Sequence, residues 1–75
     1  MREEDLNQLF QRQPRPVLRL HLTGGMVFEI RDPEQVVVTD STVELLLPPD
    51  GPRDREAVIS LRHITWVEVV TGAVE

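Results

Sequence analysis

Arg62 and His63 are the residues of this chain whose types and spacing most invite a chemical reading. They stand side by side in ISLRHITWVEVV, Ile59 to Val70, where a basic pair interrupts what otherwise reads as two β-strands. Such a pair can be an RNA-binding element. It can equally be a solvated bend that satisfies loose main-chain groups. Other chemistry finds less material. The second histidine is His21, and two histidines without cysteine or a ligand spacing do not make a metal site. Ser41 and Ser60 have no histidine–acid context that would activate a nucleophile. The carboxylates are scattered over loops and outer faces, with no spacing that pairs them. The expectation is a non-catalytic protein with no metal and no cofactor.

Charge and size narrow the classes further. The net charge is −5, from thirteen acids against eight arginines and no lysine. Phosphate contact normally needs an excess of positive charge, so this balance disfavours a general nucleic-acid binder and leaves room only for a local basic patch. Seventy-five residues make one small domain. A chain of that length buries only about 60% of its unfolded surface. With no cysteine there is no disulfide to reinforce it, which leaves self-association as the common support. No apolar run approaches the ~20 residues of a membrane span. The opening MREEDLNQLF is acidic and lacks the apolar stretch of a signal peptide. A cytoplasmic location is expected, with no membrane partner.

The elements that must position Arg62 and His63 can be read from periodicity. Leu6, Leu9 and Phe10 share one face of a short helix over about 3–12, with Glu3, Glu4 and Asp5 in its first turn and Arg12 in its last. Pro14 and Pro16 end it. VLRLHLTGGMVFEIR is a hairpin. A three-residue loop, Thr23 to Gly25, pairs Leu22 with Met26, Leu20 with Phe28 and Leu18 with Ile30, and sets Arg19 opposite Glu29 on the outer face. A one-residue slip would turn every side chain over. Leu20 and Phe28 are therefore expected to be buried partners, and Gly25 supplies the left-handed position. Two further strands pair Val38 with Val43 around a tip at Asp40 and Ser41. PPDGPRDR, residues 48–55, reads as a proline-rich charged loop. EAVISL is a strand, RHI a bend or single 3₁₀ turn, TWVEVV the last strand and TGAVE a frayed tail. So many short strands avoid aggregation best by closing on themselves. The expected fold is mainly β: a helix followed by a small bent SH3-like or Sm-like barrel of five or six strands over about 17–70.

Several of these stretches resemble a known family. DLNQLFQRQPRPVLRLHLTGGMVFE is similar to the helix, polar link, first strand and glycine hairpin of the Sm-like proteins, and among them of the bacterial Hfq-like RNA chaperones. EQVVV resembles the segment that opens the next strand there, and LRHI the aromatic–lysine–histidine signature of the second Sm motif. The likeness spans nearly the whole chain through short, mostly apolar motifs. It implies a ring of copies that binds single-stranded RNA, with Gln35 reading a base edge and Arg62 and His63 on uridine and phosphate. Leu61 stands where the family has an aromatic, and arginine stands for lysine, which keeps the charge but changes the geometry.

Trp66 is the one tryptophan. It falls on the outer face of the last strand with Glu68 and Val70, while Val67 and Val69 face the core. It can sit under the helix, against Leu6, Leu9 or Phe10, or in a subunit interface, where tryptophan is enriched, or stack on a base. The last strand is expected to pair with a neighbour's exposed edge, so Trp66, Val69 and Val70 are the candidate interface residues of a homo-oligomeric ring. The competing class is a protein-interaction module of SH3-like type that binds no nucleic acid and uses its acidic surface and proline-rich loop.

Overall fold

The computed structural model describes residues 1–71. Apart from Thr71, the expected frayed tail lies outside the described residues. Helix α1, Glu3–Phe10, buries Leu6 completely and rests Leu9 and Phe10 on the core. It is shorter than its periodicity predicts. The Gln11 N–H is shared between the carbonyls of Asn7 and Gln8, both at 3.2 Å, so the last turn tightens before the prolines and Arg12 falls beyond the helix.

The first hairpin, β1 (Val17–Leu22) and β2 (Val27–Ile30), has the expected register: Leu18 opposite Ile30, Arg19 opposite Glu29, Leu20 opposite Phe28. The Leu22 N–H donates to the Met26 carbonyl at 2.8 Å, and the Gly25 N–H to the Leu22 carbonyl at 3.0 Å. Gly24 and Gly25 both take positive φ, 95° and 97°, which only glycine adopts cheaply. Two core expectations fail here. Met26 is 61% exposed and Phe28 only partly buried, because this end of the hairpin borders an open groove facing β5 rather than closed core.

A 3₁₀ turn at Pro33–Gln35 leads into β3 (Val36–Val38), which pairs with β4 (Thr42–Asp50), Val38 opposite Val43. Asp32 caps the turn by accepting from the Glu34 N–H at 3.0 Å. The Thr39 hydroxyl oxygen accepts from the Thr42 N–H at 2.9 Å and holds the β3–β4 corner. The expected loop at 48–55 is instead a hairpin. β4 runs to Asp50 and β5 spans Arg53–Ser60, with Asp50 opposite Arg53 and an irregularity between Leu47 and Asp50. Prolines are confined to edges and bulges because they cannot donate to a ladder. Pro48 and Pro49 satisfy that rule, since β3 pairs only with Val43 to Leu45 and leaves the rest of β4 an edge. Gly51, at φ 59°, makes the tip.

A second 3₁₀ turn, Leu61–His63, leads into β6 (Ile64–Val70), which returns to β1. The strands form two antiparallel three-stranded sheets, ordered β2-β1-β6 and β3-β4-β5. Among the described residues no ladder joins them, so the sheets are not closed into a barrel. Leu18, Leu20 and Ile30 of one sheet meet Val43, Leu45 and Ile59 of the other, and Leu6, Leu61 and Ile64 complete the core. No helix of the described residues is long and apolar enough to cross a membrane.

Candidate functional site

The turn that carries the basic pair is fixed from both sides. The Leu61 N–H donates to the Ser41 carbonyl at 2.9 Å, and the His63 carbonyl accepts from the Thr23 N–H at 2.8 Å. Leu61 and Ile64 are buried on either side of the pair. Arg62 and His63 are left exposed on a stiff frame, and among the described residues neither side chain has an ion pair or hydrogen-bond partner. Burial of Leu61 also accounts for its type: this side chain belongs to the core and offers no surface to a base.

The three residues singled out from the sequence do not converge within the chain. Arg62 borders a hollow beside Asp40, Ser41 and Ser60. His63 lies at the end of a groove with Met26, Phe28 and Ile59. Gln35 ends the Pro33–Gln35 turn and borders a separate groove between β2 and the β4–β5 arm. The candidate interface residues divide by face. Trp66 is 53% exposed on the outer side of β6, and Val70 pairs with Val17 at the end of the ladder. Val69 packs inward against the core, so only its main chain is available to a neighbour.

The outer face of the β2-β1-β6 sheet holds a polar cluster, which sequence reasoning found only in part. Register places Glu29, Arg19 and Glu68 in one row across three strands, and Val27, His21 and Trp66 in the next. Arg19 spans its row, with Nε 3.1 Å from Glu29 and Nη1 3.2 Å from Glu68. Arg31 adds a second hydrogen bond to Glu29, at 2.6 Å. The hydrogen bond from Arg19, then that from Arg31, holds the Glu29 carboxyl below its usual range, and Glu29 followed by Glu68 raises Arg19. His21 Nε2 lies 3.3 Å from Glu68. Its ring stacks on Trp66, centroids 3.8 Å apart and planes 10° from parallel. Trp66 therefore covers a β1 side chain, while α1 lies against β3. The signal for this stack is the shared outer-face parity of His21 and Trp66, which has meaning only once β6 is known to pair with β1.

Two grooves, of about 680 and 350 Å³, run along the free side of β2 and meet at Phe28. The larger is bordered by both apolar and charged groups, the smaller mostly by apolar ones. Among the described residues neither groove is lined by a paired nucleophile and base. Comparison of the chain with protein-family models, with curated proteins and with solved structures gave no match.

Proposed function

We propose that this chain is a non-catalytic Sm-like protein of the small bent-barrel kind, which assembles with copies of itself into a ring and binds single-stranded RNA through Arg62 and His63. The observation that carries this reading is the position of the pair. It sits on the turn that joins β5 to β6, and among the described residues each of those strands has a hydrogen-bonded neighbour on one side only. If β6 of one copy adds to β5 of the next, every Arg62–His63 pair comes to a seam between subunits. Repetition then concentrates positive charge locally in a protein whose net charge is −5. Gln35 joins the site only where a neighbouring copy brings it to the pair.

The test combines a solution mass measurement with titration of labelled oligouridine at low and moderate salt. A multimer that binds at low salt, loses affinity as salt rises, and is weakened by Arg62→Ala supports the proposal. Gln35→Ala as a further arm reports whether a neighbour supplies the amide. A monomer at high concentration, or binding indifferent to Arg62→Ala, overturns it.

A specific observation favours a protein partner as the second reading. The outer face of the β3-β4-β5 sheet exposes Val37, Leu46 and Val58, 59%, 56% and 62% accessible, around Glu44. Apolar side chains grouped on a sheet face mark an interaction surface. A pull-down analysed for both RNA and protein separates the two readings.

A further inference from the structure

Among the described residues, β2 presents an edge whose outward-turned main-chain groups have no partner. The Leu22–Met26 hydrogen bond sets the phase of the β1–β2 ladder. Antiparallel pairs alternate between bonded and non-bonded. Leu20–Phe28 and Leu18–Ile30 are thus the bonded pairs, and Val27 and Glu29 turn N–H and C=O away from β1. β2 is also the outermost strand of its sheet, and among the described residues no other main chain reaches these groups.

This edge faces the two grooves that meet at Phe28. Their far wall comes from the β4–β5 arm, whose inner face carries Leu47 and Ala57, both only partly buried. The arm outruns β3, so part of a sheet face stands open opposite a free strand edge. The larger groove is bordered by Arg31, Arg55 and Gln35, and also by Glu29 and Asp54. Arg55 lies opposite Leu47 and shares its inner face. Asp54, one residue away, turns to the other face by strand alternation. Glu29 is already engaged by both Arg19 and Arg31.

We propose that the β2 edge and this groove form a docking site for an extended peptide strand of another protein, apolar at alternate positions and acidic at the end that reaches Arg55 and Gln35. Each property of the occupant follows from a feature of the site. Donors and acceptors at strand spacing are matched by another extended main chain, which a nucleic acid does not offer. One face of the added strand looks into the groove, so every second side chain meets Phe28, Leu47 or Ala57. With Arg31 engaged by Glu29, the Arg55 guanidinium and the Gln35 amide are the groups that complement a carboxylate. The inference does not rest on RNA binding by the Leu61–His63 turn or on ring formation, although His63 borders the far end of the smaller groove.

The experiment uses fluorescein-labelled eight-residue peptides that alternate valine and threonine. Two glutamates are placed at either end; companions carry two lysines instead, or a central proline. Fluorescence anisotropy with the full chain should show that a glutamate peptide binds, with the lysine and proline companions about tenfold weaker, the order expected when a few hydrogen bonds are lost. Amide exchange should show new protection at Val27 and Glu29. Val27→Pro removes an outward N–H without touching the β1–β2 ladder, and should weaken binding about tenfold while the denaturant midpoint holds. Arg55→Glu should reverse the preference toward the lysine peptide. Failure of every glutamate peptide to bind, or binding indifferent to both variants, overturns the proposal. So does displacement of the peptide by oligouridine, which would assign the groove to RNA, and so does a fall in solution mass on Val27→Pro, which would assign the edge to a second copy. Loss of oligouridine binding in Arg62→Ala bears on the basic pair alone and leaves this site standing.

Discussion

Leu20 and Phe28 are direct partners across β1 and β2, yet Leu20 is fully buried and Phe28 is open to grooves on either side. Truncating a core side chain costs the transfer free energy of the atoms removed and a further amount for the cavity left behind. Leu20→Ala should cost about 2–5 kcal/mol. Phe28→Ala should cost less, about 1–3 kcal/mol, since part of its ring already meets water. Denaturant melts of the two variants decide the matter, and equal losses would mean that the grooves are closed in solution.

The carboxyl of Glu29 gives stability a pH dependence whose sign is fixed. Its folded value lies below the ordinary carboxylate value of 4.5, chiefly through the hydrogen bond from Arg19 and next that from Arg31. A depressed carboxyl contributes stability that is present above the unfolded value and is lost as pH falls through the folded one. Wild type should therefore lose stability on acidification below about 4.5, and Glu29→Gln should lose less over the same interval. Melts from neutral to acid pH test this, and parallel curves for the two proteins would remove Glu29 from the network.

The stack of His21 on Trp66 predicts coupling between two residues 45 positions apart in sequence. Aromatic pairs contribute about 0.5–1.5 kcal/mol beyond their buried area. His21→Ala and Trp66→Ala should each be mild, and the double variant should cost less than the two combined by about that amount. Trp66 is the one indole in the chain, so its fluorescence should also change in His21→Ala. Strict additivity with an unchanged emission spectrum would place the rings apart.

Three glycines with positive φ should respond differently to substitution. Gly51, at φ 59°, sits in the left-handed region that asparagine also visits, whereas Gly24 and Gly25, at 95° and 97°, lie beyond it. None has a heavy atom within 4 Å of where a Cβ would stand, so the cost is backbone strain rather than collision. Gly51→Asn should be nearly neutral. Gly25→Val should cost about 1–2 kcal/mol or more and should shift the midpoint of a thermal melt downward.

Much of the first hairpin is legible in the sequence because its alternation permits only one register. The three-residue loop follows from the need to keep Leu18, Leu20 and Ile30 on one face, and the β3–β4 pairing of Val38 with Val43 follows likewise. Residues 48–55 read wrongly as a loop because proline and glycine mark a loop only where a strand has neighbours on both sides. How far β3 extends alongside β4 is a tertiary fact, and it makes Pro48 and Pro49 acceptable in a strand. The exposure of Met26 escapes the sequence for a related reason: alternation tells which face a residue takes, and not whether a second sheet covers that face. Of the candidate site, the exposed turn with Arg62 and His63 can be read. The gathering of Arg19, His21, Glu68 and Trp66 cannot, because it depends on the pairing of β1 with β6.

That pairing also bears on the order of events during folding. Arg19 and Glu68, ionic partners in the finished sheet, are 49 positions apart, whereas the β1–β2, β3–β4 and β4–β5 hairpins each close over short turns. Loop-closure entropy favours the local hairpins over the β1–β6 ladder early in folding. On the ribosome, β1 emerges well before the strand that will cover its second edge, and it carries Leu18 and Leu20 with that edge bare throughout. The interval between synthesis of Leu22 and of Val70 is the stage at which a nascent chain of this protein is most exposed to wrong partners. Variants that slow completion of β6 should show their effect as lower soluble yield before any change in the stability of the folded molecule.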